Sequence, residues 1–184
     1  ADGVDWQEAT PAGLDGDTTA IHAMAVFDGM LYAATGNQAT GTEIWRTTDG
    51  LAWSQTNPDG LDDADNRGTY AMAVLDPYLY VGTSNSQTGT QVWRSDTGTS
   101  WFQANTDGFG TVDNRAATAM ATLDGWLYVG TGNGVGGTEV ARTTLDPAHG
   151  DGTIWELAND PGFGAPENSA AEAALVSGGR LWIG

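Results

Sequence analysis

The sequence predicts an all-β fold of four-stranded antiparallel sheets, and three observations carry that prediction. A segment that opens MAVFDGMLYAATG at Met24 returns as MAVLDPYLYVGTS at Met72 and as MATLDGWLYVGTG at Met120, 48 residues apart each time. Within each copy, short apolar runs alternate with Asp-Gly and Asn-containing turn signals, and no helical period is sustained. The first two runs of a copy are apolar almost throughout, whereas the third and fourth mix in Thr, Arg, Gln and Ser. Inner strands covered on both faces and outer strands nearer water have that pattern. Sheets of this kind set side by side are the blades of a β-propeller.

Taken in order, residues 1–19 read as the end of a blade, because Trp6 precedes Trp53 by 47 residues. The blade 20–68 has a first run at His22–Phe27, a hairpin signal at Asp28-Gly29, and a second run at Met30–Thr35. A turn at Asn37–Gly41 leads to the third run, Thr42–Thr47, and Asp49-Gly50 turns the chain into a fourth that begins at Trp53. Blades 69–116 and 117–170 repeat this order. The latter holds six extra residues, Leu145–Gly150, expected to project from a turn without disturbing the sheet. The Ala-rich stretch Asn168–Leu175 has a helix-forming composition but falls where the repeat places a strand. Residues 171–184 begin another copy. The prediction is three complete blades plus a split, incomplete fourth that lacks the equivalent of Thr35–Thr47. The chain opens without Met, and three readings stay open. It is an excerpt of a longer array, a compact ring with a defective closing blade, or a subunit whose gap another chain fills by strand addition.

Composition narrows the function classes. The 27 glycines recur at repeat-equivalent turns, which indicates tight turns rather than disorder. Against 24 acidic residues stand six arginines and no lysine, a net charge of −18 that repels nucleic acid and anionic membrane. No apolar run approaches the roughly 18 residues that insert in a bilayer as a helix. Without Cys there is no disulfide scaffold, thiolate metal site or thiol nucleophile. Lysine-free, Asp-rich composition fits an extracellular or cell-surface protein, and compositional bias of the source genome accounts for it equally well.

The turn before each fourth strand resembles the Asp-box, S-x-D-x-G-x-[ST]-W, of sialidase-type propellers. Asp96, Gly98, Ser100 and Trp101 come nearest to it, and Asp2-Gly3-Trp6, Asp49-Gly50-Trp53 and Asp151-Gly152-Trp155 are shortened forms. The whole repeat is similar to that of mostly secreted bacterial and archaeal propeller proteins with LYVGT…GTEVWR units. The resemblance implies a propeller whose boxes are structural and lie away from any catalytic centre. In such a turn the Asp ties main-chain N–H groups and the Trp anchors the turn to the sheet.

Chemistry is harder to find. Sialidases use a convergent arginine triad, but Arg46, Arg94 and Arg142 recur once per copy, as do Arg67 and Arg115, which suggests pairing with the acidic turns. His22 stands at the entry of an inner strand where later copies have Tyr70 and Thr118, so it is a channel-mouth residue or a solvated strand end. His149 lies in the insertion and is expected to be exposed. In the acidic connections, Asp59, Asp62, Asp63 and Asp65, with Asp15 and Asp17 upstream, are calcium candidates, although their spacing is not that of an EF-hand. Solvated acidic loops are the plainer reading, and no other cofactor is expected. Trp45 and Trp93 offer stacking surfaces for a glycan, but Ala141 in the third copy favours filling between blades.

No catalytic residue emerges. The leading expectation is a non-catalytic extracellular structural or interaction module, partnered by itself or another extracellular protein and self-assembling through the incomplete blade. A lectin-like module for a glycan or small ligand is the alternative. A glycoside hydrolase-like enzyme, on family analogy, comes third.

Overall fold

A computed structural model describes residues 8–9 and 14–184 of the chain. The expected end-of-blade segment at 1–19, including Asp2, Gly3 and Trp6, falls largely outside the described residues. Fourteen strands follow, with no α-helix among the described residues.

Strands β1 (Ala20–Phe27), β2 (Met30–Gly36), β3 (Ile44–Thr47) and β4 (Ser54–Gln55) form an antiparallel meander. It is repeated by β5 (Gly68–Leu75), β6 (Tyr78–Ser84), β7 (Val92–Ser95) and β8 (Phe102–Gln103). The third comprises β9 (Ala116–Leu123), β10 (Trp126–Gly132), β11 (Val140–Thr144) and β12 (Glu156–Leu157). A hairpin of β13 (Ala174–Ser177) and β14 (Arg180–Ile183) closes the series; of the Ala-rich stretch expected to be a strand, only Ala174 and Leu175 belong to β13, and none of it is helical. Between the units one residue pair carries the ladder across: Gly36 with Gly68, Ser84 with Ala116, Gly132 with Ala170. The β13–β14 sheet stays separate, and the sheet is not closed among the described residues.

The core lies between units. Phe27, Tyr32, Ile44 and Leu61 of the first meet Leu79 and Val81 of the second. Leu75, Tyr80 and Val92 of the second meet Ala117, Leu127 and Val129 of the third. A unit therefore buries its apolar face only against a neighbour, which is the logic of repeat architectures. The inner strands neighbour one another in the order β1, β5, β9, β13.

One expectation is corrected here. β1 is not covered like β2: Met24 and Val26 are 53% and 68% exposed, whereas Tyr32, Ala33 and Ala34 are fully buried. Among the described strands, β1 packs mainly on β2 and β5, leaving its other flank open. The six-residue insertion behaves as expected: Pro147–His149 are exposed, and β11 still pairs with β12.

The connections are held by a recurring close approach. A Cβ on Gly89 (φ +99°) would lie 2.7 Å from the Cα of Gly108, whose N–H donates to Thr90 O at 2.8 Å. The equivalent pairs are Gly41 with Gly60 and Gly137 with Gly162. Only glycine permits both the positive φ and the contact.

Candidate functional site at the inner-strand mouth

The inner strands share an irregularity that the repeat alone does not reveal. In β1 the partners step from Ile21–Thr35 to Ala23–Ala34, which leaves His22 as an extra, unpaired residue. Tyr70 is skipped in the same way between Thr69–Thr83 and Ala71–Gly82, and Thr118 between Ala117–Thr131 and Ala119–Gly130. A β-bulge takes one side chain out of the ladder and re-aims it. Glu172 occupies the equivalent position ahead of β13, held between Ala171 N–H, which donates to Thr131 O at 3.3 Å, and Ala173, which exchanges main-chain bonds with Gly184.

These four positions carry four different residues. The positions two residues on carry Met24, Met72, Met120 and Ala174, so sequence variety is concentrated at the bulge. All four inner segments line a cavity of about 230 Å³, with Tyr70, Thr118 and Glu172 towards the strand entries and the methionines beyond them. His22 stacks on Tyr70 with ring centroids 4.3 Å apart and planes 25° from parallel. Gly36 makes room for it: a Cβ there would sit 2.5 Å from His22 Nε2. Burial holds the His22 pKa below the ordinary imidazole value, so the neutral ring is favoured. Thr118 Oγ1 donates to Ala171 O at 2.7 Å and fixes the segment that presents Glu172. Glu172 is the one carboxylate of the lining among the described residues.

The residues singled out in the sequence lie elsewhere. Asp49 Oδ1 accepts from the N–H groups of Leu51 and Ala52 at 2.8 and 2.9 Å, across the turn at Gly50. Asp151 Oδ1 accepts from Thr153 N–H at 2.9 Å. Asp96 is a correction: the turn is tied instead by Thr97, whose Oγ1 accepts from Thr99 and Ser100 at 3.4 and 3.2 Å. Thr97 is 48 residues after Asp49, so the nearest match to the box motif was one residue out of register. Gly98 packs beneath Tyr32, and Gly152 beneath Tyr80, whose hydroxyl donates to Gly152 O at 3.3 Å. Trp155 Nε1 donates to Ala104 O at 2.7 Å, whereas Trp53 and Trp101 have buried Nε1 atoms without a partner among the described residues.

The calcium candidates do not converge. Asp59 accepts from Gln55, Asp63 from Asn85 and Asp65 N–H, and Asp65 pairs with Arg67 at 3.1 Å. Asp62 joins none of them, and no group of three or more potential metal ligands occurs among the described residues. The arginines are diverse rather than uniform: Arg94 donates to Asp151 O at 2.7 Å and lies over Tyr78, and Arg142 pairs with Glu156 over Trp126. Trp45 and Trp93 are half-buried, their Nε1 atoms donating to Glu43 and Gln91. His149 is exposed and bonded to Asp146.

No protein-family model and no curated protein matches the sequence. Solved structures do. Among them is a β-xylosidase/α-arabinofuranosidase, CoXyl43 of glycoside hydrolase family 43, from a compost microbial metagenome: TM-score 0.52, 11% identity, 90% of this chain and 69% of that one. A protein of Bacteroides thetaiotaomicron proposed to be a glycosidase gives TM-score 0.53, 14% identity, and coverage of 90% and 61%. The computationally designed protein Ika8 gives 0.51, 16%, and coverage of 90% and 43%. The fold is propeller-like. The chain spans less than two thirds of the designed protein and of the Bacteroides protein.

These likenesses correct the leading expectation. Natural chains that share this architecture are described as glycosidases, so the fold gives no ground for a non-catalytic structural or interaction module. The same likenesses give no support to assembly through the incomplete blade or to the lectin-like alternative.

Proposed function

We propose that this chain is part of a glycoside-processing propeller whose sugar site is the cavity at the mouth of the inner strands. Three complete blades and the hairpin of a fourth would stand around a common axis, with that cavity on it. The single observation that supports this reading is the bulge shared by the inner strands, which brings His22, Tyr70 and Thr118 into the position that Glu172 takes in the fourth copy. An aromatic pair offers a flat face to the C–H side of a sugar ring, and hydroxyl and carboxylate groups meet its hydroxyls. Glu172 is assigned the proton-transferring role, being the lining carboxylate. Paired-carboxylate hydrolysis requires a second carboxyl group about 5–9.5 Å away. The glycosidase likenesses support the architecture of the reading, and the bulge residues support its place.

The test is a panel of aryl glycosides with the full chain and with Glu172→Gln. Turnover of at least one glycoside, lost by about 100-fold or more in the variant, is expected for a proton-transferring carboxylate. No turnover of any member, or equal turnover by Glu172→Gln, overturns the reading.

A further inference from the structure

We propose that Leu14–Thr19, the segment leading into β1, is a pH-sensitive latch: one proton shared by Asp15 and Glu43 closes it, and loss of that proton opens it. The latch goes beyond the function proposed above and does not rest on it.

Each unit takes up the connection before it in the same slot, and the three slots differ in one respect. At the second unit Asp63 Oδ2 accepts from Gln91 Nε2 at 3.4 Å and from Asn85 Nδ2 at 3.0 Å. One repeat later Thr111 takes the place of Asp63, and Glu139 that of Gln91. Each of these pairs holds a single acid. One repeat earlier the residues are Asp15 and Glu43, two acids that share a side-chain hydrogen bond.

Two carboxylates cannot make that bond; one of them must bring an O–H. The other donors are already placed. Asn37 Nδ2 donates to Glu43 Oε1 at 3.1 Å and Trp45 Nε1 to Oε2 at 2.9 Å. The N–H groups of Asp17 and Thr18 donate to Asp15 Oδ1 at 3.1 and 2.6 Å. Glu43 is 2% exposed, so water does little to screen a second charge beside it. Among the described residues Asp15 is the charged group that faces Glu43; Asn37 after β2 and Trp45 on β3 are neutral. Burial and then Asp15 push the Glu43 carboxyl up to about 7, while the bond with Glu43 holds Asp15 below its ordinary value, so the proton sits on Glu43. Neither acid belongs to a group of three or more potential metal ligands among the described residues.

The segment has fewer other ties than its counterparts. Asn66 Nδ2 donates to Gln91 Oε1 at 2.7 Å and to Gly60 O at 2.9 Å, and its Oδ1 accepts from Thr83 at 3.0 Å. The equivalent residue here is Thr18, whose hydroxyl reaches Glu43 Oε2 only at 3.4 Å. Thr19 keeps the main-chain bond of the repeat: its N–H donates to Gly36 O at 2.8 Å, as that of Arg67 does to Ser84 O at 3.0 Å. Gly36 also abuts His22 Nε2, which sets the latch against the bulge at the mouth.

Amide hydrogen exchange of the full chain, read by NMR between about pH 6 and pH 8.5 and corrected for intrinsic rates, tests the latch. Arg67, whose bond repeats that of Thr19, is the internal reference. Protection of Thr19 is expected to fall by about tenfold or more across that range while that of Arg67 holds. Glu43→Gln, which copies Gln91, and Asp15→Asn each remove one acid and are expected to leave Thr19 protection flat. Constant protection in the wild type overturns the proposal. So does a fall shared equally by Thr19 and Arg67, which reports weakening of the whole fold, or an undiminished fall in the variants. Should one variant misfold by circular dichroism, the other decides. No glycoside enters the measurement, so failure of the latch and failure of the sugar site are told apart.

Discussion

Asn66 Nδ2 donates to Gln91 Oε1 at 2.7 Å, and Asn114 Nδ2 makes the corresponding bond to Glu139 at 2.6 Å. Each bond locks a connection onto the unit that follows it. In the first unit the same slot holds Glu43, 2% exposed, and faces Asp15 and Thr18 in place of Asp63 and Asn66. Burial, and then the hydrogen bond with Asp15, raise the Glu43 carboxyl to about 7, while the bonds from Trp45 and Asn37 act against the rise.

A raised folded-state pKa means that protonated Glu43 supports the fold. Its contribution is present below the unfolded value of 4.5 and is lost as pH rises through about 7. Asp15 is held below 3.8, chiefly by its bond with Glu43, so its opposite contribution disappears only in stronger acid. Glu43→Gln, which copies Gln91, is expected to flatten the decline in Tm between about pH 5 and pH 8 and to stabilise the chain at the upper end. Equal slopes in wild type and variant would contradict this.

Gly89 and Gly110 have nearly the same φ, +99° and +98°, but only Gly89 abuts another backbone. Alanine at Gly110 is expected to cost about 1 kcal/mol for conformation alone, and alanine at Gly89 clearly more, through the contact with Gly108. Urea unfolding of the two variants measures the difference. Equal losses would remove the steric account.

Trp155→Phe and Trp101→Phe both shrink a half-buried ring, but only the first forfeits a hydrogen bond, that to Ala104 O. The Trp155 variant is expected to lose about 1 kcal/mol more than the Trp101 variant in thermal or urea unfolding. At Trp101 the change also removes a buried donor that has no partner among the described residues, which offsets part of the lost packing.

His22 is expected to titrate below 6.5, since burial against Tyr70 and Gly36 disfavours its charged form. Tyr70→Ala opens that environment, and the ring's NMR titration midpoint should move upward. An unchanged midpoint would show that the stack does not control it.

The strands were legible because apolar runs and Asp-Gly turns repeat with a fixed period; that period read the Ala-rich stretch Asn168–Leu175 as strand, and β13 takes in only its last two residues, Ala174 and Leu175. His22 was recognised as the residue opposite Tyr70 and Thr118, but not that all three are bulged, because a bulge is visible only when the partner strand is counted. Thr97 was missed in favour of Asp96: the motif rewards an Asp, whereas the turn needs an acceptor one residue later. Ala141 was read as the loss of a stacking residue. That Leu157 faces the same side as Ala141 depends on β11 and β12 pairing at Ala141–Leu157, and the next pair, Arg142–Glu156, turns to the other face.

The single residue pairs that join successive meanders have an evolutionary consequence. Each meander completes its own ladder, and one strand-residue pair carries the ladder to the next, Gly36–Gly68, Ser84–Ala116 or Gly132–Ala170. Duplicating or deleting one copy of the gene segment would change the girth of the assembly while leaving every ladder within a copy intact. Copy number is then free to drift, and chemistry can diverge one copy at a time.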